Sequence, residues 1–254
     1  MRKTTKAPGF TLAELVVVLA VISLLLSGGL LLTPALADAT RYRTTQQRLD
    51  TAREALIGFA LIHGRLPCPA TEDSQGQEAP LGGGICLRPY DGLLPAATLG
   101  LNGTDREGFL ADGWGEGASH RLRYAVTAVR DGAFTSADGL ARYKAASGLG
   151  AIEADLHICD LESGLAVAEP DNCGGALRLS GNAAAVLYST GPNGAGAAGP
   201  LEQINPYHHG GHADRIFGRR SRVGKEAPSG EFDDQLIWLP WPELALRLVE
   251  AGRL

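Results

Sequence analysis

The sequence lacks the short motifs by which many enzymes are recognised. It contains no G-x-S-x-G nucleophile turn, no H-E-x-x-H zinc-binding helix and no phosphate-binding P-loop. Basic residues are also too few to predict a nucleic-acid partner, since 23 Lys and Arg stand against 28 Asp and Glu and the formal net charge is −5. These absences favour a structural or binding protein over an enzyme.

Charge is absent from residues 15–32, yet a carboxylate, Glu14, stands directly before this run. A helix over the run, at about 1.5 Å per residue, would be roughly 27 Å long, close to the thickness of the hydrocarbon core of a bilayer. A carboxylate at the edge of such a segment is costly, which makes Glu14 a functional candidate. Arg2, Lys3 and Lys6 precede the run without any acid, so the N-terminus should stay in the cytoplasm while the rest is exported.

One interpretation of this segment is an ordinary secretory signal or anchor within residues 1–37. Ala35-Leu36-Ala37 follows the apolar run and has the A-x-A form of a signal-peptidase site. In that case the exported part would be a soluble or membrane-anchored periplasmic binding module or enzyme.

Residues 9–15, Gly-Phe-Thr-Leu-Ala-Glu-Leu, favour a different interpretation. Together with the apolar run behind them, they resemble the processing site of type IV prepilins and of the pseudopilins of type II secretion. The resemblance implies cleavage between Gly9 and Phe10 by prepilin peptidase, followed by N-methylation of Phe10. Glu14 would then be the fifth residue of the mature chain, where this family has a glutamate. The sequence departs from the family at residue 8, a proline where a basic or small residue is more usual.

The resemblance also implies an assembly mechanism that agrees with the charges. Cleavage would create a positive amine at Phe10 on a helix embedded in lipid, where an unpaired amine and an unpaired carboxylate are both costly. If helices pack side by side with a small axial offset, Glu14 of one subunit can neutralise the amine of the next. The implied partners are prepilin peptidase, other pilin or pseudopilin subunits, an inner-membrane assembly platform and membrane lipid.

These implications describe a prepilin-like structural subunit of a type II secretion pseudopilus or a type IV pilus, with a chain length that suggests a minor component. It would be a single-pass protein of the bacterial inner membrane, with a cytoplasmic N-terminus and a periplasmic head, and would join a filament after assembly. The expected divisions are a leader at 1–9, a transmembrane and assembly helix at 10–33, an amphipathic stem helix at 34–64 and a globular head at 65–254. The leader does not distinguish secretion, pilus and DNA-uptake systems.

Cysteine is used sparingly, and an even number in an exported chain indicates disulfides. The four residues are Cys68, Cys86, Cys159 and Cys173. Three pairings exist, and we favour Cys68–Cys86 with Cys159–Cys173 because each closes a short local loop, worth about 3 kcal/mol in the chain-entropy model. A zinc site is the competing interpretation, but the sequence has no C-x-x-C spacing.

The pattern of apolar residues predicts an α+β fold. A long helix, apolar in its first half and amphipathic in its second, should run from Phe10 to His63 and end at the stop signals Gly64 and Pro67. The apolar stripe of its second half comprises Tyr42, Leu49, Ala52, Leu56, Phe59 and Ala60. This helix should pack on a small antiparallel sheet in the head.

The head should combine short strands with long loops, because six Phe and three Trp stand against 34 Gly. Strands are expected at 122–127, 176–179, 184–189 and 232–238, followed by a C-terminal helix at 241–254. Long loops are expected at 70–92, pinned by Cys68 and Cys86, and at 191–230.

The head carries a looser resemblance to major-pseudopilin-like proteins. The similar residues are Asp112, Trp114, Gly115, Arg123 and Tyr124, then Ser189 to Gly194, then Asp233, Asp234 and Trp238. In calcium-binding members the last turn and the acidic pair supply oxygen ligands, and Asn193, Asp233 and Asp234 are the corresponding positions here. Adjacent residues of a strand point to opposite faces, so only one of the two Asp is expected to reach an ion.

A calcium site competes with simpler interpretations, and no other cofactor is expected. Asp233 and Asp234 would also serve to solubilise an edge strand. His208, His209 and His212 could ligate a transition metal, but exposed histidines of a glycine-rich loop more commonly have no such function.

Overall fold

The computed structural model describes residues 9–162, 173–194, 201–205 and 215–254, with the backbone alone described for residues 24–35. The chain forms two compact units, Met1–Tyr42 and Arg43–Leu254. Helix α1 (Leu12–His63) contributes residues to both, in agreement with the long N-terminal helix expected from the sequence. Among the described residues, no helix meets the length and hydropathy expected of a membrane span.

The second unit has the α+β composition that the sequence predicted. After α1 its elements are β1 (Gly92–Leu93), β2 (Arg123–Val126), α2 (Val129–Gly132), α3 (Gly139–Ser147), β3 (Leu156–Asp160), β4 (Leu177–Ser189), β5 (Ile216–Arg219), β6 (Gln235–Pro240) and α4 (Trp241–Glu250). The sequence pattern identified the regions of β2, β4, β6 and α4 but not β1, α2, α3, β3 or β5.

The strands of the described ranges form one six-stranded sheet with β4 at its centre. β4 pairs antiparallel with β2, β3 and β6, and β1 pairs antiparallel with β2. β5 runs parallel to β3. The prediction of a purely antiparallel sheet is therefore wrong, because the β3–β5 pair makes the sheet mixed.

Two further expectations about strands need correction. Residues 176–179 and 184–189 belong to one strand of 13 residues, because the first half of β4 pairs with β3 while its second half pairs with β2 and β6. The segment 191–230 is not a single loop, since β5 lies within it and its Ile216 and Phe217 are buried. The last strand begins at Gln235 rather than at Phe232, which forms an isolated bridge with Val223.

Both faces of the sheet are covered, and the inner stripe of α1 lies on one of them. Leu49, Ala52 and Leu56 are fully buried in a cluster with Tyr124 of β2 and Leu244 of α4. The opposite face is covered by a second cluster of buried residues, which comprises Ala125, Leu156, Ile158, Ala183, Val186, Tyr188 and Phe217. β2 and the second half of β4 are buried on both faces, which explains why these stretches show no alternation between buried and exposed residues.

The predicted stripe of α1 is confirmed with one exception. Phe59 and Ala60 are buried together with the three residues above, whereas Tyr42 is 39% exposed. Tyr42 lies in the first unit, before the part of α1 that contacts the sheet. Helical spacing therefore identified the inner face but not where the packing begins.

Two disulfides, Cys68–Cys86 and Cys159–Cys173, have S–S distances of 2.01 and 2.02 Å, and they are the two local pairings that the sequence favoured. The first disulfide adjoins a buried ion pair between Arg65 and Glu78. Arg65 donates from Nη1 to Glu78 Oε2 at 2.8 Å and from Nη2 to Oε1 at 2.7 Å, and the backbone N–H of Cys68 donates to Oε2 at 3.1 Å. The loop after α1 is thus held by a cross-link and by charge.

Candidate functional site

Helix α1 begins with a capping box that the sequence analysis did not identify. Glu14 Oε2 accepts hydrogen bonds from the backbone N–H and the hydroxyl of Thr11, both at 2.9 Å, and Thr11 Oγ1 accepts one from the N–H of Glu14 at 3.3 Å. These bonds satisfy two of the donors that every helix start leaves unpaired. The spacing T-x-x-E before an apolar run is the signal that predicts such a box. Glu14 therefore has a structural role within its own chain.

Apolar side chains cover all sides of the helix that follows, and they are exposed. Phe10 is 88% and Leu12 81% exposed. The other exposed apolar residues are Leu15, Val16, Val17, Val18, Leu19, Val21 and Ile22. At about 100° per residue these positions surround the helix, and a helix that is apolar on every side is normally covered by lipid or by other protein. The isolated chain supplies no such cover among its described residues.

Residues 5–30 match the prokaryotic N-terminal methylation motif, which is the hallmark of the prepilin-type signals of type IV pilins and pseudopilins. The chain carries a prepilin-type signal. This signal implies processing by prepilin peptidase and assembly with other pilin subunits, and the pilin-like proteins that carry it are structural. No curated protein and no solved structure matches the chain.

The structure places the predicted residues of the prepilin-type signal next to one another. Gly9 and Phe10 lie outside any helix, directly before the capping box formed by Thr11 and Glu14. The proposed cleavage bond therefore precedes the first residue of α1, Leu12, by only Phe10 and Thr11. Cleavage, methylation and charge pairing at these residues stay predictions.

A second candidate site is an acidic cluster in the head. One carboxylate oxygen from each of Glu202, Asp233 and Asp234 lies within 4.8 Å of the other two. The expectation that the two Asp point to opposite faces was wrong, because they precede β6 and do not lie within it. Sequence reasoning missed Glu202, which reaches the cluster from a 3₁₀ turn (Glu202–Ile204) on a different segment.

Hydrogen bonds hold Glu202 and Asp234, but within the part of the chain that the structure describes the Asp233 carboxylate has no hydrogen-bond partner. The side-chain amide of Asn193 donates to Glu202 Oε2 at 3.0 Å, and the N–H of Asp233 donates to Oε1 at 2.9 Å. Asn205 Nδ2 donates to Asp234 Oδ2 at 2.8 Å. Asp233 is 2% exposed, and neither of its carboxylate oxygens has a hydrogen-bond partner within the described ranges. Its burial also shows that Asp233 does not solubilise an edge strand.

The same burial controls the electrostatics of the cluster. Burial raises the pKa of Asp233 to about 7, and the charges of Glu202 and Glu231 add to this rise. Burial likewise raises the pKa of Asp234 well above its usual value, against the lowering effect of the hydrogen bond from Asn205. A hard cation prefers several oxygen ligands. A buried carboxylate that accepts no hydrogen bonds is stabilised when such a cation binds to it. The three acids could therefore hold a metal ion.

Other residues of the looser head resemblance meet around Asp112, which is buried. Ser189 Oγ donates to Asp112 Oδ2 at 2.6 Å, and the N–H of Trp114 donates to Oδ1 at 2.8 Å. Arg48 of α1 donates to the backbone carbonyl of Asp112 at 2.7 Å. His120 Nδ1 lies 3.5 Å from Oδ1. Ser189 contacts the acid and not the histidine, so these residues do not form a Ser–His–Asp relay and instead join α1 to the end of β4.

The three histidines considered as transition-metal ligands, His208, His209 and His212, lie outside the described residues.

Proposed function

We propose that this protein is a prepilin-like structural subunit that is cleaved between Gly9 and Phe10, N-methylated at Phe10 and assembled into a type II secretion pseudopilus or a type IV pilus. The observation that carries the proposal is the match of residues 5–30 to the N-terminal methylation motif. The exposed apolar surface of the helix start supports it, because such a surface requires cover by lipid or by neighbouring subunits. The chain length favours a minor component of the filament.

The segment from residue 10 to residue 33 anchors the subunit in the inner membrane before assembly and lies in the filament core afterwards. The absence of charge from residues 15–32 and the basic residues Arg2, Lys3 and Lys6 support this orientation, with the N-terminus in the cytoplasm and the head in the periplasm. The two disulfides agree with an oxidising compartment. The partners are prepilin peptidase, other pilin or pseudopilin subunits, the assembly platform and membrane lipid.

In the assembled state, Glu14 pairs with the Phe10 amine of the neighbouring subunit. Both groups would otherwise be charged in an apolar environment, and their pairing removes two unfavourable charges at once. Pairing across subunits also sets the axial register between neighbouring helices. The capping box requires only one oxygen of Glu14, Oε2, and this leaves Oε1 for the amine.

We further propose that the acidic cluster holds calcium. Glu202, Asp233 and Asp234 supply carboxylate oxygens from two separate segments of the chain, and Asn193 lies in hydrogen-bond contact with Glu202. Calcium accepts such mixed oxygen ligands in flexible geometry. The ion would give the carboxylate of Asp233 the partner that the described protein groups do not provide.

The mature N-terminus tests the processing step. Mass spectrometry of the chain purified from its native membrane should show an N-terminus at Phe10 that carries one methyl group. Gly9→Val should retain the leader, because a side chain at the residue before the cut obstructs the peptidase. Thr11→Val, which changes a residue after the cut, is the matched control and should be processed. A native chain that begins at Met1 or at Asp38 would contradict the proposal and would support the ordinary signal or anchor.

The response of thermal stability to pH and calcium tests the acidic cluster. Without calcium, the melting temperature of the full chain in neutral detergent should fall as the pH rises from about 4 to about 7. The folded Asp233 keeps its proton up to about pH 7, whereas the unfolded residue loses it near pH 4, so ionisation favours the unfolded state over that range. Calcium at millimolar concentration and neutral pH should restore the lost stability by binding the folded state alone.

Two variants complete this test. Asp233→Asn should be more stable than the parent at neutral pH and should no longer respond to calcium. Asp50→Asn, on the exposed side of α1, should respond as the parent does. A parent chain whose melting temperature is unchanged by calcium at neutral pH would refute the calcium site without affecting the prepilin assignment.

A further inference from the structure

A small pocket lies in the second unit where α2 faces helix α3, away from the acidic cluster. Its volume is about 210 Å³, and Arg130, Asp131, Ser136, Arg142 and Tyr143 are among its lining residues. This volume is below the roughly 300–1,000 Å³ of sites that enclose a whole drug-sized ligand. The pocket therefore fits a small ion or one functional group of a larger molecule.

The backbone on one side of this pocket has an unfavourable conformation. Arg130 and Asp131 have φ angles of 51° and 55°, and Gly132 follows with 77°. Glycine adopts a left-handed conformation without cost, but arginine and aspartate do so at the expense of stability. Such conformations persist where the surroundings impose them, and they concentrate at functional sites.

The surroundings of α2 hold this conformation in place. A Cβ atom at Gly132 would lie 2.8 Å from the carbonyl oxygen of Gly84, so the turn is packed tightly against the loop that the Cys68–Cys86 disulfide closes. Thr135 Oγ1 donates to the same carbonyl at 2.7 Å. On the pocket side, the guanidinium of Arg130 lies over the ring of Tyr143, 4.7 Å from its centroid.

Among the described residues, the two arginines of the pocket have no carboxylate partner. Neither Arg130 nor Arg142 forms an ion pair with any of the residues that the structure describes, although Asp131 also lines the pocket. In this unit Arg53, Arg65 and Arg121 each pair with a carboxylate, whereas Arg106, which is exposed like Arg130 and Arg142, forms no ion pair with the described residues. Two guanidinium groups without such a partner at one pocket are an anion-binding arrangement.

We propose that this pocket binds the phosphate group of a small molecule or free phosphate through Arg130 and Arg142. Each guanidinium offers five N–H donors in a planar fork that matches two oxygens of an oxyanion. A carboxylate has only two oxygens, so it would leave the donors of one guanidinium without acceptors. A phosphate group presents three or more oxygens and can accept from both guanidinium groups. The guanidinium of Arg130 stacks over the ring of Tyr143, and this contact holds it in position. This site goes beyond the proposed structural function and does not depend on it.

Titration calorimetry on the full chain in a neutral detergent tests the site, with inorganic phosphate and glycerol 3-phosphate as the two probes. We expect saturable binding of at least one probe. Binding of both shows that the phosphate group suffices, and binding of glycerol 3-phosphate alone shows that the site takes a phosphate carried on an organic molecule. No binding of either probe would overturn the proposal.

Variants connect the binding to the two arginines. Arg130→Gln and Arg142→Gln should each weaken binding about tenfold or more, since each removes charge-assisted hydrogen bonds. The control Arg106→Gln changes an exposed arginine outside this pocket and should bind as the parent does. Equal losses in all three variants would show non-specific attraction and would overturn the site.

The variant Arg130→Gly distinguishes loss of the guanidinium contacts from destabilisation of the fold. Glycine fits the left-handed backbone at this position, so the variant should melt at the same or a higher temperature than the parent. It should nevertheless lose phosphate binding together with the guanidinium. A variant that binds phosphate as the parent does would overturn the assignment of Arg130.

Discussion

Glu14→Gln should strongly reduce filament assembly while the subunit is still folded, inserted and processed. The amide keeps the oxygen that accepts hydrogen bonds from Thr11, so the capping box survives. It removes the charge that we propose to neutralise the Phe10 amine of the neighbouring subunit. A buried charge left without its partner costs about 3–5 kcal/mol, so the assembly equilibrium should fall roughly a hundredfold or more. The measurement is the amount of filament relative to processed subunit.

Thr11→Val and Glu14→Ala separate the charge from the cap. Thr11→Val removes the hydroxyl that accepts from the N–H of Glu14 but retains the carboxylate, and should cost about 1 kcal/mol of helix stability while filaments still form. Glu14→Ala removes both the charge and the side chain that completes the cap, and it should assemble no better than Glu14→Gln. Normal assembly of Glu14→Gln would disprove the charge pairing. If Thr11→Val alone failed to assemble, assembly would depend on the capping box and not on the charge.

Glu78→Leu should lower the free energy of unfolding of the second unit by about 3–5 kcal/mol. Arg65 and Glu78 are 7% and 5% exposed and form two parallel hydrogen bonds. The substitution leaves the Arg65 guanidinium buried without its carboxylate and removes an acceptor from the N–H of Cys68. Denaturant unfolding followed by tryptophan fluorescence measures the change as a shift of the midpoint.

The control for the ion pair is the double substitution Arg65→Met with Glu78→Leu, which should recover most of the lost stability because no charge is then buried alone. Glu54→Gln breaks an exposed ion pair with Arg53 and should cost less than about 1 kcal/mol. If Glu78→Leu were as mild as Glu54→Gln, the buried pair would contribute little. If the double variant were no better than the single one, packing would explain the loss.

The sequence predicted the elements whose signals are local. The inner stripe of α1 follows from helical spacing, and the disulfides follow from the short separations of their cysteines. β3 and β5 escaped prediction, and their parallel pairing joins residues that are distant in sequence, such as His157 and Ile216. The pattern of residues within a short stretch of sequence does not predict such a contact.

The candidate sites show the same division. Gly9, Phe10 and Glu14 are adjacent in sequence, so a motif was enough to identify them. The acidic cluster was found only in part, because Glu202 reaches Asp233 across 31 residues. The expectation about opposite faces failed because it assumed that a strand includes Asp233 and Asp234, whereas β6 begins one residue after them.

The capping box has a consequence for the order of events in biogenesis. The N–H of Thr11 and the carboxylate of Glu14 both lie after the proposed cleavage bond, so the hydrogen bonds that start α1 are the same before and after the leader is removed. Gly9 and Phe10 are not helical, and the peptidase can therefore act on them without unwinding a turn. If the chain is cleaved as proposed, an uncut and a cut subunit therefore have the same hydrogen bonds at the start of α1.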